Sequence, residues 1–462
     1  MDRRGGTEAP LIANRSEPIA QEELADLFAE PLVAADGIAL AVSGGSDSTA
    51  LMLLYSDWLA LAGLSRGAVT VLTVDHRLRA QSGEEAQAVA RLAHELGFRH
   101  ATLAWEGPHP RSGVQAAARR ARYALIARYA ARHGISTVLT GHTAEDQAET
   151  LLMRLARGSG IAGLAAMAPW ARPPSSPLDV PPPAIVRPFL ATPKARLIAT
   201  LRARAVAWRE DPSNGSPAFE RTRLRQAWPA LEAVGLKAEK LTLSARRARR
   251  AHEALERWVS DVCNPERGCV RVDPCGFVHI ERTALTILPL EVAIRLLERA
   301  AAAAGGGPTP VPLARLEAIA GKIAAGARSA WTLARAKITA RASEVLLERE
   351  WGRSPLPELD LAAGARTLWD ARFVVTIETN LVEPVRVRAL GATGLEAAAW
   401  AAALRPDAPR GALSALPAFC RGERVLAVPS LGYWAECELK AALGARFHAA
   451  RLYNLGELPH TP

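Results

Sequence analysis

A six-residue turn near the start of the chain carries the residue types best suited to hold a phosphate. Ser43–Ser48 reads Ser-Gly-Gly-Ser-Asp-Ser and lies between the apolar runs Ile38–Val42 and Thr49–Leu54. This is the pattern of a buried strand, a tight turn and a helix start. Glycines let the backbone approach a ligand, while hydroxyls, amide N–H groups and the helix dipole attract an anion. The turn therefore predicts a phosphate site; the alternative is an ordinary turn in which serine and aspartate only cap the helix.

The turn lacks the lysine of the usual P-loop. No Gly-x-x-x-x-Gly-Lys-Ser/Thr segment occurs in the chain, and in that motif the lysine reaches the outer phosphates of a nucleotide. We therefore expect the turn to bind a pyrophosphate group that leaves during the reaction.

Two more clusters of polar residues follow predicted strands. Val74–Arg79 carries an acid, a histidine and two arginines, which together can bind a nucleotide or an RNA phosphate. Each of these residues alone is typical of a solvated loop. His142 precedes a predicted helix, and Asp146 and Glu149 are three residues apart, hence on one helix face. A carboxylate near the phosphate turn can hold Mg²⁺ or accept a proton from an amine. The alternative is that these acids only offset the helix dipole.

The elements that must position these residues alternate between strand and helix patterns. Such alternation predicts an α/β fold with a Rossmann-like parallel sheet covered by helices on both faces. Ligands of such sheets bind beyond the carboxyl ends of the strands, so Asp47, Asp75 and His142 are expected in one pocket. The predicted strands after the first are Val69–Val74, His100–Trp105 and Thr137–Thr140, and the helices are Ser82 to about Gly97, Val114–His133 and one capped by Thr143 that runs to about Ala156.

The rest of the chain predicts two further domains. We divide it into an N-terminal catalytic domain (1–212), a mainly helical, arginine-rich middle domain (213–352) and a small mixed C-terminal domain (353–462). Leu288–Ala304 has a helical pattern, and Ser329–Glu350 alternates with the period of a strand. Pro169–Pro188 is rich in proline and predicts an extended surface insertion.

The distribution of charge favours a nucleic-acid partner. The chain has a net charge of +10. Leu190–Arg250 contains 14 lysines and arginines against 5 acids, and Arg111–Arg132 contains six arginines and no acid. Concentrated positive charge is typical of a surface that binds a phosphate backbone. A solvated helix face is the alternative interpretation.

Composition argues against secreted, membrane and metal-cluster classes. The five cysteines include no Cys-x-x-Cys pair, so idle or buried thiols are expected rather than a disulfide framework or a metal site. No apolar stretch is long enough to span a membrane, and Met1–Gly6 is followed by no apolar segment of a secretory signal. We expect a cytoplasmic protein without a membrane partner. The sequence leaves the oligomeric state open, with a homodimer as one alternative.

The phosphate turn resembles the Ser-Gly-Gly-x-Asp-Ser signature of the PP-loop ATP pyrophosphatases, which adenylate their substrates and release pyrophosphate. An ordered set of further motifs over Ile38–Pro229 is similar to the bacterial tRNA(Ile)-lysidine synthase family. These motifs are Val74–Arg79 with Ser82 and Glu85-Ala86, Gln115–Arg119 with Arg122-Tyr123, His142–Thr150, Arg157–Gly160 with Gly163-Leu164 and Met167, Arg187–Leu190, Glu210–Asn214, and Arg221 to Arg225 before Pro229.

The resemblance implies a PP-loop ATPase fold and ATP-dependent ligation of free lysine to C2 of cytidine 34 in the CAU anticodon of tRNA(Ile), through an adenylated cytidine. It implies ATP and Mg²⁺ as ligands, and tRNA(Ile) and L-lysine as substrates. The implied catalytic residues are Asp47, His142 and Asp146, with Asp47 also as the Mg²⁺ ligand. The implied ATP-binding residues are Ser43, Gly44, Gly45, Ser46, Asp47 and Ser48. The implied substrate- and tRNA-binding residues are Asp75, His76, Arg79, Arg119, Arg157, Arg221 and Arg225.

Three positions depart from the family pattern. The family usually has His-His at His142-Thr143, Asp-Asp at Glu145-Asp146 and Arg-Asn at Arg221-Thr222. These departures leave the roles of Thr143, Glu145 and Thr222 open. Two rival functions are another PP-loop tRNA-modifying enzyme, such as a cytidine thiolase, and a non-catalytic RNA-binding protein that retains the ATP fold. Thiolases of this kind commonly use the Cys-x-x-Cys pairs that are missing here.

Overall fold

The computed structural model describes residues 17–32, 37–77, 82–106, 110, 113–171, 183–209, 220–307, 311–352, 355–379, 384–398, 403, 405–449 and 452. The chain divides into two compact units, Met1–His252 and Glu253–Pro462. The division into the domains 1–212, 213–352 and 353–462 stays a prediction.

The first unit is built on a six-stranded sheet in the order β3-β2-β1-β4-β6-β5. Neighbouring strands run parallel, except that β5 is antiparallel to β6. The predicted Rossmann-like architecture is confirmed. The strands are β1 (Ile38–Ala41), β2 (Val69–Asp75), β3 (Arg99–Ala104), β4 (Thr137–Thr140), β5 (Trp170–Ala171) and β6 (Ala184–Val186).

Helices cover both faces of this sheet because successive strand side chains point to opposite sides. Leu40 packs in a core with Leu51 and Tyr55, whereas the adjacent Ala39 packs in a second core with Ile126 and Val138. The helices that precede, connect and follow the strands are α1 (Leu24–Leu32), α2 (Ser46–Leu61), α3 (Ser82–Glu95), α4 (Val114–Arg132), α5 (Ala144–Leu155), α6 (Ile161–Leu164) and α7 (Lys194–Ala203).

The prediction of an extended surface insertion over Pro169–Pro188 is wrong at its carboxyl end. Ala184, Ile185 and Val186 form β6 and are buried, since β6 pairs with β4 inside the sheet. An apolar run of only three residues next to a row of prolines is too short to show the period of a strand. The local sequence therefore did not predict its burial, which results from pairing with β4. Residues 172–182 lie outside the described part of the chain.

Two helices carry much of the basic segment that follows. They are α8 (Glu220–Ala233) and α9 (Ala238–Val262). Helix α9 places Leu241 and Ala245 in a small core with Ala148 and Leu151 of α5, and it leaves Arg246, Arg247 and Arg250 exposed. The arginines of α9 therefore lie on the surface of the unit that contains the phosphate turn.

The described residues of the second unit form three antiparallel sheets. The first, ordered β7-β8-β11-β10-β9, packs against helices, so the middle segment contributes a sheet as well as the expected helices. Its elements are β7 (Val270–Val272), β8 (Val278–Glu281), α10 (Arg282–Ile287), α11 (Leu290–Gly305), α12 (Leu313–Ala324), β9 (Ala330–Leu333), β10 (Ala336–Ala340) and β11 (Glu344–Arg349). Helix α11 and strands β9 to β11 correspond to the predicted helical and alternating patterns.

The other two sheets are ordered β12-β15-β16-β17-β18 and β13-β14-β19. Their strands are β12 (Leu359–Leu361), β13 (Arg366–Trp369), β14 (Phe373–Ile377), β15 (Val385–Ala389), β16 (Pro417–Arg421), β17 (Arg424–Val428), β18 (Tyr433–Trp434) and β19 (Leu443–Phe447), with short helices at α13 (Gly391–Ala397), Arg410–Ser414 and Leu439–Ala442. Within the described ranges, none of the helices combines the length and apolar content needed to cross a bilayer.

Candidate active site

The phosphate turn is held by its own hydroxyl groups. The hydroxyl of Ser48 accepts a hydrogen bond from the backbone N–H of Ser43 (3.1 Å) and donates to the carbonyl of Gly45 (3.1 Å). Gly44 has a φ of +86°, a conformation that side chains other than glycine rarely adopt. Gly45 is the N-cap of α2, so the first amide groups of this helix point away from the helix body and lack helical acceptors. The turn is therefore shaped before any phosphate binds.

A second glycine brings the loop after β4 against this turn. A Cβ atom at Gly141 would lie 2.7 Å from the carbonyl oxygen of Asp47 and 3.0 Å from the amide nitrogen of Ser48. Such distances leave no room for a side chain. The two loops meet because β1 and β4 are adjacent while their chain connections leave in opposite directions, which is the place where open α/β sheets bind ligands. Asp47 and His142 consequently lie on the same edge of the sheet.

A lysine from a distant part of the sequence reaches the turn. The Nζ atom of Lys194, the first residue of α7, lies 3.0 Å from Oδ2 of Asp47. The other carboxylate oxygen of Asp47 accepts a hydrogen bond from the hydroxyl of Ser46 (3.0 Å). The turn itself lacks a lysine, but the folded site has one. The pattern of Pro193 before a helix start was a signal for α7, and nothing in the local sequence indicated where Lys194 would point.

Burial keeps His142 uncharged at neutral pH. Desolvation lowers the pKa of His142 to about 4; the carboxylate of Asp146 opposes this shift, and the guanidinium groups of Arg187, Arg119 and Arg221 add to it. Its Nδ1 atom lies 2.9 Å from the hydroxyl of Thr140. His142 can therefore face a cation without repelling it.

Asp146 is tied to the start of α5. Its Oδ2 atom accepts a hydrogen bond from the backbone N–H of Thr143 (3.0 Å), and the hydroxyl of Thr143 accepts one from the backbone N–H of Asp146 (3.5 Å). This is a capping box in which aspartate replaces the usual glutamate. Its Oδ1 atom lies 3.7 Å from a nitrogen of Arg225. One oxygen of Asp146 is thus committed to the helix and the other faces the site.

Glu149 and Arg225 form a close charge contact in the site. The Nε atom of Arg225 donates to Oε1 of Glu149 over 2.6 Å, and the side chain of Glu149 is only 3% exposed. Burial raises the pKa of Glu149, and the charge of Arg225 partly opposes this shift. Asp47 and Asp146 also lie close enough to Arg225 to raise its pKa. Three carboxylates thus act on one cation, whose side chain is 42% exposed.

The three positions that depart from the family pattern have structural contacts. Thr143 makes the capping box described above. Glu145 accepts a hydrogen bond from the backbone N–H of Lys194 (2.9 Å), and so fixes the start of α7 next to the turn. Thr222 is buried in α8. Thr143 and Glu145 therefore position elements around the site.

The remaining predicted binding residues are spread around this edge. Oδ1 of Asp75 accepts a hydrogen bond from the backbone N–H of Arg77 (2.8 Å), and the ring of His76 packs edge-on against Trp105. The guanidinium of Arg119 lies 5.2 Å from the ring centre of Tyr123, and the exposed Arg157 pairs with Glu220. The charge of Arg221 contributes to the lowered pKa of His142. Arg79 lies outside the described residues.

The five cysteines are free thiols. Burial raises the pKa of Cys263 to about 11 and that of Cys275 to about 12, so neither is a thiolate at neutral pH. Across the part of the chain that the structure describes, histidines, cysteines and acids form no group of three or more that could hold a metal. A metal at the phosphate turn would therefore depend on one or two carboxylates together with ligands from a substrate.

Comparison with known proteins agrees with this geometry. Residues 16–231 match a protein family described as a PP-loop domain. The tRNA(Ile)-lysidine synthase of Bradyrhizobium sp. (strain BTAi1) is 45% identical over an alignment of 310 positions that covers 65% of this chain and 83% of that protein. The tRNA(Ile)-lysidine synthase of Rhodopseudomonas palustris is 45% identical over 66% of this chain and 84% of its own length. The one of Ruegeria pomeroyi is 39% identical over 86% of this chain and 88% of its own length. The chain therefore belongs to the tRNA(Ile)-lysidine synthase family.

Proposed function

We propose that this protein is a ligase that joins free lysine to C2 of cytidine 34 in the CAU anticodon of tRNA(Ile), with ATP converted to AMP and pyrophosphate. One observation carries the proposal beyond family membership. A phosphate turn with a lysine at 3.0 Å from Asp47 lies at the same sheet edge as the buried Glu149–Arg225 pair and Asp146. The phosphate turn with Lys194 suits a nucleoside triphosphate. The Glu149–Arg225 pair with Asp146 suits a substrate that carries both amino and carboxylate groups.

In the first step, the C2 carbonyl oxygen of cytidine attacks the α-phosphate of ATP and pyrophosphate leaves. Ser43, Gly44, Gly45, Ser46 and Ser48 would bind the leaving pyrophosphate through amide and hydroxyl donors. Lys194 would add a positive charge to the outer phosphates once it leaves Asp47. Donors placed where negative charge develops lower the barrier because they need no reorganisation during the reaction.

Mg²⁺ fits this arrangement because it usually keeps several waters and binds through one or two carboxylates together with substrate phosphates. Asp47 would be its protein ligand, and the ion would neutralise charge on the pyrophosphate.

In the second step, the side-chain amine of lysine attacks C2 of the adenylated cytidine and AMP leaves with the former C2 oxygen. The free oxygen of Asp146 and the carboxylate of Glu149 would attract the lysine ammonium, which takes the place of Arg225 beside them. The half-exposed Arg225 can then turn to the carboxylate of lysine. His142 is uncharged, so it can lie beside the attacking amine without repelling it. The free oxygen of Asp146 would accept the proton that the amine releases.

The RNA would approach over the basic segment Leu190–Arg250. The exposed arginines of α9 belong to the same unit as the phosphate turn. Their charge would bind the phosphate backbone, and the target base must leave its stack to reach C2. Because tRNA, ATP and free lysine occur together in the cytoplasm, we place the reaction there.

Purified protein, a transcript of tRNA(Ile) with a CAU anticodon, ATP and radiolabelled lysine test the proposal. We expect AMP release that depends on both RNA and lysine, with label entering the RNA. Asp47→Ala should abolish pyrophosphate release. RNA-dependent AMP release without incorporation of lysine would favour another PP-loop tRNA-modifying enzyme, such as a thiolase. RNA binding without any ATP turnover would favour the non-catalytic alternative.

A further inference from the structure

A cavity of about 360 Å³ lies next to the candidate active site and contains none of the residues of the phosphate turn. Its polar lining is formed by Arg119 and Tyr123 of α4, Arg154 of α5, Arg187, and Arg249 and His252 of α9. The remaining lining is small or apolar, and no Asp or Glu is among the described residues that line it. Four arginines thus face one nucleotide-sized space.

Backbone carbonyl groups hold three of these arginines in place. Arg154 donates to the carbonyls of Gly163 (3.1 Å) and Ala166 (2.9 Å), Arg187 donates to that of Ala168 (2.7 Å), and Arg249 donates to that of Ala165. A carbonyl orients a guanidinium but carries no net charge. Among the described lining residues, the guanidinium groups are therefore held in fixed positions and positive charge is in excess, which an anion would complement.

Arg187 gives a second, independent indication of a ligand. The residue is 8% exposed, and its Nε–H group is buried without a hydrogen-bond partner among the described residues. A buried donor without an acceptor is costly. Burial also lowers the pKa of Arg187, although an arginine remains a cation at neutral pH. An anionic oxygen in the cavity would satisfy both its charge and its donor.

The position of the cavity favours RNA over ATP as the source of that anion. Arg187 and Arg119 act electrostatically on His142. The cavity therefore lies near the residue that is proposed to act in the second step. The turn that suits the pyrophosphate of ATP lies outside its lining. Arg119, which lines the cavity, is exposed, as are the neighbouring arginines of α9.

We propose that this cavity binds a backbone phosphate of the RNA next to the nucleotide that is modified, and so holds that nucleotide in front of His142. The proposal rests on the proposed function, because it names where the RNA substrate of the same site is held. A single-stranded anticodon nucleotide can be splayed out so that its phosphate enters a pocket while its base enters another.

The test combines a protein substitution with a change in the RNA. Full-length tRNA(Ile) is prepared with one neutral methylphosphonate linkage, placed in turn at each position from two nucleotides before to two after the target. Dissociation constants are measured for the wild type and for Arg249→Gln, without ATP or lysine. The control is Arg250→Gln, which removes the same charge from the adjacent, exposed position of α9.

We expect Arg249→Gln to weaken binding of unmodified tRNA about tenfold. At one linkage beside the target, the neutral group should weaken RNA binding by the wild type by a similar factor. The same linkage should have little further effect on RNA binding by Arg249→Gln. Arg250→Gln should keep the full effect of that linkage. Arg249→Lys keeps the positive charge and should retain part of the coupling. This variant distinguishes loss of the charge from misfolding.

If the effects of Arg249→Gln and of the neutral linkage on the dissociation constant multiply at every position, the two changes act independently and the proposal is overturned. An equal loss of the linkage effect in the Arg249 and Arg250 variants, whatever each does to the affinity for unmodified tRNA, would also overturn it. Binding of inorganic phosphate to the wild type but not to Arg249→Gln, with no effect of any neutral linkage, would assign the cavity to a free anion instead. Because binding needs no turnover, coupling without lysine incorporation would refute the proposed function and leave this phosphate site standing.

Discussion

The ammonium group of Lys194 lies 3.0 Å from the carboxylate of Asp47, although 147 residues separate them in the chain. The two side chains are 41% and 22% exposed, so water screens their attraction and the pair adds little to stability, at most about 1 kcal/mol. The pair is therefore easily separated, and the proposed function expects a phosphate and a metal to take the places of the two partners.

Replacing Lys194 with alanine should weaken the interaction with ATP and leave folding intact. We expect KM for ATP to rise about tenfold, because the substitution removes one charge-assisted hydrogen bond to phosphate. The thermal unfolding midpoint should change little. Initial rates of pyrophosphate release at varied ATP, together with melting curves, measure both effects. Lys322→Ala, an exposed lysine on α12, is the control. An unchanged KM for ATP would show that Lys194 does not reach the phosphates.

Replacing Glu149 with glutamine should act on lysine rather than on ATP. The substitution keeps the shape of a side chain that is 3% exposed but removes the charge that holds Arg225. We expect KM for lysine to rise about tenfold while KM for ATP stays within about twofold. Steady-state assays with each substrate varied in turn separate the two. Glu317→Gln, at an exposed position of α12, is the control. Equal changes in both KM values would point to a structural role only.

His142 should make the stability of the first unit depend on pH. Its pKa in the folded chain is about 4, below its ordinary value of 6.5, so between these values the unfolded chain binds more protons. Stability is therefore lost as the pH falls from about 6.5 towards 4, and the loss from this residue reaches about 2 kcal/mol by pH 5.

The measurement is the pH dependence of thermal unfolding for the wild type and His142→Gln. Because other groups titrate in the same range, the difference between the two proteins is the informative quantity, and the variant should lose less stability on acidification. His94→Gln, at an exposed position of α3, is the control. Parallel curves for the wild type and His142→Gln would contradict the assignment of a buried, uncharged imidazole.

Neutralising the exposed arginines of α9 should weaken RNA binding in a salt-dependent way. We expect the triple substitution Arg246→Gln, Arg247→Gln and Arg250→Gln to reduce the slope of log K against log salt by about one for each phosphate that the protein no longer neutralises. ATP turnover at saturating tRNA should change much less. Filter binding at several salt concentrations gives the slope. The same slope as the wild type would place the RNA on another surface.

Local sequence predicts the strands and the loops that follow them because both depend on neighbouring residues. Ile38–Ala41, Ser43–Ser48 and the cap at Thr143 are readable since apolar period, glycine position and capping act over a few residues. Glu149 is likewise placed on the same helix face as Asp146 by spacing alone. The roles of Asp75, His76, Arg119, Arg157 and Arg221 in binding stay predictions.

Three features depended on the tertiary structure. Strand β6 is recognisable only from its pairing with β4. Lys194 meets Asp47 because α7 starts against Glu145, and Arg187 becomes a buried donor in a cavity of arginines from three helices. Short-range patterns in the sequence were sufficient to predict the phosphate turn, the parallel sheet and the sheet edge on which the candidate site lies. The fold alone decided which distant cations face that edge, because burial and charge contacts between remote segments have no signature in the local sequence.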